Sequence, residues 1–360
     1  MAVITARFLK RGLQLFALVS LLGVVGLLIY SNAWQSTFEA VTRLHPGWAL
    51  AMLALASLDW FGGGLRLWLL TKRVYRDTPF MPMVLSAGLN AWGALLTPSQ
   101  TGGGPIQIFV MKRAGVPIPE STTSSLMSFV ATVVFFAIVG PVAIVFGAGR
   151  SLEQHGIPLV SLSFLDLFRA SAGVFAAIGA LMLFIMVAPG LTARLFHAVI
   201  GWLERHRGEK MAKRVDDLRS GVDRMQDCMV AYIRTPLGLA ATLGGVITSA
   251  LAHANKLLAG WVVLRALGIH ANLTDVLLVQ TTIVFLLYFA PTPGASGIAE
   301  ALSAALMSVY VPRDLLPAYT LLWRFTVSYA TVGFGSYVFY RFLSGQLDRA
   351  NAAAPAPELA

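Results

Sequence analysis

Apolar residues follow one another along this chain in runs of roughly 20, each enough to cross about 30 Å of hydrocarbon as an α-helix. Polar clusters between the runs mark out spans at 13–31, 48–70, 121–146, 170–188, 237–267 and 315–342. Two further apolar stretches are cut in the middle. The first joins arms at 80–96 and 106–111 through Thr97-Pro98-Ser99-Gln100-Thr101-Gly102-Gly103-Gly104-Pro105. The second, 273–311, is cut by Pro291-Thr292-Pro293-Gly294-Ala295-Ser296-Gly297. Proline removes a backbone donor and glycine accepts dihedrals that other residues avoid, so neither break continues a helix. Inside a bilayer such a break is tolerated only where protein or a polar cavity satisfies the freed backbone groups.

Basic residues stand at both ends of the first cut stretch, at Lys72, Arg73, Lys112 and Arg113, which makes it a re-entrant hairpin with both mouths on one side. The order span, span, hairpin, span then occurs twice, once from each side. The expected architecture is an all-α polytopic membrane protein with six full spans and two opposed re-entrant hairpins in an inverted-topology repeat. The first repeat covers 1–147 and the second 148–342, with a disordered cytoplasmic tail at 343–360. Paired breaks in the two halves are the best pointer in a sequence to a transport site.

Composition agrees: 57% of residues are hydrophobic and 12% charged, outside the soluble range. The net charge of +10 reflects no nucleic-acid partner, because most Lys and Arg fall in segments assigned to one side, the positive-inside bias. Both termini are therefore expected in the cytoplasm, with the chain multi-pass in the cell (inner) membrane. The run after Arg7, Lys10 and Arg11 is longer than a signal-peptide core and is taken as an uncleaved span. Within a basic cytoplasmic segment, 191–235, Val215, Leu218, Val222, Met225 and Met229 recur at helical spacing. That helix either lies along the inner leaflet or packs on the bundle. Cys228, the single cysteine, sits in it and would report the segment's side to a membrane-impermeant thiol reagent.

Charges inside spans carry the candidate chemistry, since each costs about 2.5–3.5 kcal/mol to insert. Lys256 in the fifth span, Arg324 in the sixth and Glu300 just after the second break form the main set, with Gln107 beside the first break. Asp59 and Arg66, seven residues apart and so on one helix face, are secondary candidates, as are Asn90, His253, Asn255 and Gln280. Arg66, Lys256 and Arg324 outnumber Asp59 and Glu300, a cationic excess that suits a phosphate-bearing headgroup. Helix N-termini after Gly104-Pro105 and Gly297 would add backbone N–H groups. Internal pairing, such as Glu300 with Arg324, is the alternative. Gly103 is expected to resist a β-branched residue, whereas Gly23, in a lipid-facing stretch, should accept one. No phosphate-binding loop, dinucleotide fold or metal-ligand spacing occurs, so no cofactor or metal is expected.

The motif at 97–105 resembles a signature of the lysylphosphatidylglycerol synthase transmembrane-region family. Pro291-Thr292-Pro293-Gly294-Ala295-Ser296-Gly297-Ile298-Ala299-Glu300 and Leu321-Leu322-Trp323-Arg324-Phe325 are similar to its second-half signatures. The resemblance implies a flippase-like role for the breaks, Glu300 and Arg324. It also implies that a soluble transferase domain, which in the best-known members makes the aminoacylated lipid, is absent here. Many relatives carry an acidic–basic pair in the third span, where this chain has Ser128-Phe129, so no substrate contact is carried over there. The expected function is a lipid translocase for a phospholipid or lipid-linked anionic headgroup. Its partners would be membrane lipids, a separate lipid-modifying enzyme and a second copy of itself as a homo-oligomer. The rival is an intramembrane enzyme acting on a polyprenyl or phospholipid phosphate.

Overall fold

The computed structural model describes residues 6–145, 164–188, 190–191, 194–195, 197–199, 201–202, 212–288 and 290–352. It is helical throughout, with no strand among the described residues. In chain order the helices are α1 (Ala6–Ser31), α2 (Trp34–Thr42), α3 (Pro46–Val74), α4 (Phe80–Leu95), α5 (Gly103–Arg113), α6 (Ile118–Val145) and α7 (Phe164–Val187). They continue as α8 (Ala212–Ile233), α9 (Pro236–Ala266), α10 (Leu273–Tyr288), α11 (Ile298–Met307), α12 (Leu316–Arg324) and α13 (Ala330–Ala352). A π-helical turn, Phe325–Tyr329, joins the last two without a break.

Four helical stretches among the described residues are long and apolar enough to cross a bilayer: Phe8–Ser31, Pro46–Val74, Ile118–Val139 and Pro236–Ala266. The long helices start where the chemistry allows. Pro46 and Pro236 occupy first-turn positions that need no N–H donor, behind His45 and Thr235, whose side chains accept from Gly47 N and Gly238 N. Helix α2 was not foreseen, and α13 runs to Ala352, into the stretch read as a tail. The loop at 146–163, with Arg150 and Glu153, and the basic residues at 203–211 lie outside the described residues, as does 353–360.

The most extensive packing pairs α3 with α9. Around that axis α4 and α5 fold back on each other, as do α10 and α11. The last helix of each half packs on the other half's hairpin, α6 on α10 and α13 on α4. One hydrophobic core fills the space between α9, α10, α11 and α12, and a smaller one lies between α1, α4, α5 and α13.

Helix α8 packs on α6 and α9. Its Tyr232 is buried, donating to Leu70 O at 2.5 Å. Arg224 reaches the buried Glu120 of α6 at 2.8 Å, and this bond raises the guanidinium pKa. The buried edge of α8 includes Cys228 and Tyr232, while Leu218, assigned to the apolar face, is 50% exposed. Burial pushes the Cys228 thiol from 9.0 up to about 11. A buried, protonated thiol is a poor nucleophile, so Cys228 is not the topology reporter its loop position implied.

Candidate functional site

Both breaks are built the same way. Thr97 and Thr292 are extended, Pro98 and Pro293 open a 3₁₀ turn, and the next two residues are left-handed. Those residues are Ser99 (φ 48°) and Gln100 (φ 57°) in the first break, Gly294 (φ 56°) and Ala295 (φ 54°) in the second. The two turns touch, Ser99 N donating to Ala290 O at 3.1 Å. Freedom of φ is therefore not what Gly102, Gly103 and Gly104 supply, since none has positive φ. Two of them let α5 lie close against the preceding segment: a Cβ on Gly103 would sit 2.8 Å from Asn90 O, and one on Gly102 2.5 Å from Thr97 Cγ2. Gly104 faces open space.

That space is a cavity of about 600 Å³. The first hairpin contributes Asn90, Gln100, Gly104, Pro105 and Gln107, and α3 and α9 contribute Asp59, Arg66, His253 and Lys256. A hydroxyl row on α6, Thr122, Ser125, Ser128 and Thr132, runs along its wall. Asn90 hydrogen-bonds Gln107, whose Nε2 donates to Ser125 Oγ at 3.1 Å, so hairpin and α6 are tied together. Lys256 Nζ lies 3.3 Å from Asp59 Oδ1, and Asn255 donates to the other carboxylate oxygen at 2.9 Å. Among the described residues no carboxylate lies within ion-pair distance of Arg66. Its Nη1 donates to Thr132 Oγ1 at 2.7 Å and Ser249 Oγ at 3.2 Å, and lies 3.3 Å from His253 Nε2. Because Arg66 can only donate, His253 Nε2 accepts from it and the ring is neutral.

A smaller cavity, about 70 Å³, lies between the two breaks against Ser99, Gln100, Lys256, Thr292, Gly294 and Arg324. Behind it Arg324 and Glu300 form an ion pair at 2.9 Å, each side chain 1% exposed. Arg324 Nη1 also donates to Gly294 O at 3.2 Å and Ser328 Oγ at 3.1 Å, and Nη2 to Ser296 Oγ at 3.4 Å. These bonds occupy three of its five N–H groups, and the carboxylate lies against Nε as an ion pair outside hydrogen-bond geometry. Glu300 accepts from Gly297 N at 2.7 Å and from Ser20, which lies 2.6 Å from Tyr329 Oη. The helix N-terminus after Gly297, expected to face a ligand, is thus capped by the chain's own carboxylate.

The expected residues divide accordingly. Asp59, Arg66, Asn90, Gln100, Gly104, Pro105, Gln107, His253 and Lys256 line the larger cavity, and Thr292, Gly294 and Arg324 the smaller. Asn255 acts through Asp59. Thr101, Gly102, Gly103, Pro291, Pro293, Ser296, Gly297 and Glu300 shape the two turns and line neither cavity. Gln280 belongs to a separate buried network, accepting from Trp323 Nε1 at 2.8 Å and reaching Tyr319 Oη at 3.3 Å. Gly23 is not simply lipid-facing: a Cβ there would come within 3.2 Å of the Glu300 side chain. Ser20, Tyr329, Thr132 and Ser249 escaped the sequence reading, because one hydroxyl in an apolar run carries no cost that singles it out.

Residues 14–335 match the model of the family described as the lysylphosphatidylglycerol synthase TM region. A UPF0104 membrane protein from Archaeoglobus fulgidus is 25% identical over 313 residues, covering 84% of this chain and 88% of that protein. The match spans both breaks, both cavities and the helices that build them, and the chain is a membrane protein belonging to the lysylphosphatidylglycerol synthase TM region family.

Proposed function

We propose that this protein is a lipid translocase that moves a phospholipid or lipid-linked anionic headgroup between leaflets, without chemistry of its own. One observation carries the reading: a cavity of about 600 Å³ at the meeting of a broken hairpin and the central helix pair holds two cations and one carboxylate. A headgroup would enter it while its acyl chains stay in lipid. The two breaks, alike in backbone and in contact with each other, support an inverted repeat in which one half rocks against the other around the site. The larger cavity lies at the first hairpin, and a far smaller one lies between the two breaks. An enzyme would need an acid/base cluster, and the polar groups around the cavity form pairs and struts instead.

The test is reconstitution into liposomes with headgroup-labelled lipids of several classes and leaflet-selective quenching. Faster loss of protected signal for an anionic class, with the lipid chemically unchanged, is the expected result. No acceleration for any class by folded protein would refute the proposal, and a changed lipid would favour the enzyme.

A further inference from the structure

Helices α3 and α9 cross where Gly62 lies against Leu251 and Ala252; a Cβ on Gly62 would stand 2.9 Å from Ala252 N. Counted from that crossing, the two helices carry matched polar residues. Four positions beyond Gly62 is Arg66, and four beyond Ala252 is Lys256; three before them are Asp59 and Ser249. The contacts across the crossing match as well. Lys256 Nζ reaches Asp59 at 3.3 Å, and Arg66 Nη1 reaches Ser249 at 3.2 Å. The pairs differ in one respect: a carboxylate answers the lysine, and only a hydroxyl answers the arginine.

Arg66 therefore keeps an uncancelled charge. Its direct partners Thr132, Ser249 and the neutral His253 ring carry no charge, Asp59 acts on it only from beyond ion-pair distance, and its Nε is buried without a hydrogen-bond partner. Arginine does not shed its proton, and an unpaired cation in a low-dielectric interior is costly, so the arrangement calls for an anion from outside. Arg324 cannot take that part, because protein oxygens surround it.

We infer that Arg66 is the anion anchor of the larger cavity and that it takes a singly charged phosphodiester. Resting on the translocase reading, this names the substrate class of the same site. Asp59 and Lys256 cancel, which leaves the cavity one positive charge from Arg66. A phosphodiester supplies one negative charge, whereas a phosphomonoester or diphosphate brings more than the site can neutralise. The planar guanidinium suits two phosphate oxygens.

Calorimetric titration of the purified protein in an uncharged detergent tests this with four probes: dihexanoyl-phosphatidylglycerol, its chain-free headgroup glycerophosphoglycerol, dihexanoyl-phosphatidic acid and inorganic phosphate. The phosphatidylglycerol should bind about tenfold or more tightly than the others. Ser249→Asp supplies the missing carboxylate and should weaken that binding about tenfold or more, as should Arg66→Gln. Ser249→Asn, equal in bulk to the aspartate variant but uncharged, should bind more tightly than Ser249→Asp, so that the difference between the two reads the charge alone. Asp59→Ser frees Lys256 and should shift preference toward the phosphatidic acid. Unchanged phosphatidylglycerol binding in folded Arg66→Gln overturns the inference even if Ser249→Asp fails to fold. Inorganic phosphate binding as tightly as the lipid also overturns it, pointing to a free-anion site, and a preference unmoved by Asp59→Ser removes the charge matching. A wild-type protein that binds the lipid without moving it would sink the translocase reading and leave the Arg66 site standing. A Ser249→Asp variant that binds and transports normally would do the reverse.

Discussion

The Glu300–Arg324 pair allows the most quantitative prediction, because both side chains are almost fully enclosed and their other partners are known. Arg324→Gln leaves the Glu300 carboxylate buried with Ser20, Tyr329 and the Gly297 N–H but no cation to hold it. Breaking a buried pair in this way costs about 3–5 kcal/mol, against a total stability on the order of 5–15 kcal/mol. Glu300→Gln should cost less, about 3 kcal/mol. The new amide oxygen can still accept from Gly297 N, and Arg324 retains Gly294 O, Ser296 and Ser328. In the double variant no charge is left unpaired, so its loss should fall short of the summed single losses by about 2–3 kcal/mol. Denaturant unfolding in mixed micelles, run on all four proteins, gives this coupling directly. Transport measured on the same preparations should fall with stability in the single variants and recover in part in the double. Additivity within about 0.5 kcal/mol would refute the strut. So would an Arg324→Gln protein of normal stability that has lost transport, which would return Arg324 to a ligand role.

Gly103→Val should disable transport and lower yield, since its Cβ would already lie 2.8 Å from Asn90 O, whereas Gly26→Val, with nothing within 4 Å, should leave both within error in a yield and flipping assay. Gly62→Val at the α3–α9 crossing should destabilise by about 1–3 kcal/mol through overpacking, read as a fall in the unfolding midpoint. Cys228 should react with a maleimide at pH 8 far more slowly in the folded protein than after denaturation. Because its folded pKa is near 11 and its ordinary value 9.0, the unfolded chain sheds the proton first, so this thiol's contribution to stability should fall as pH rises from 9 to 11. Cys228→Ser should remove that part of the alkaline loss, and an identical alkaline profile would contradict the assignment.

Long apolar runs and proline placement determined much of the helical architecture by themselves. A helix that must satisfy its own backbone in hydrocarbon needs a run of fixed length, so α3, α6 and α9 were legible within a few residues, while α1 begins seven residues before the span read at 13–31. The two breaks were equally plain, because proline and glycine act locally. Their internal geometry was less so: the left-handed residues of the first break are Ser99 and Gln100, and its glycines serve close packing instead. Charge is a property of a residue, but pairing is a property of two helices brought together. Nothing in sequence order says that Lys256 meets Asp59 while Arg66 meets only Ser249, Thr132 and His253. That outcome follows from the crossing at Gly62 and the phase it sets between α3 and α9. The enclosure of Arg324, the burial of Cys228 and the packing of Gly23 on Glu300 likewise arise from contacts between helices. Sequence spacing fixes which face of its own helix a residue occupies, and only tertiary packing decides what that face meets.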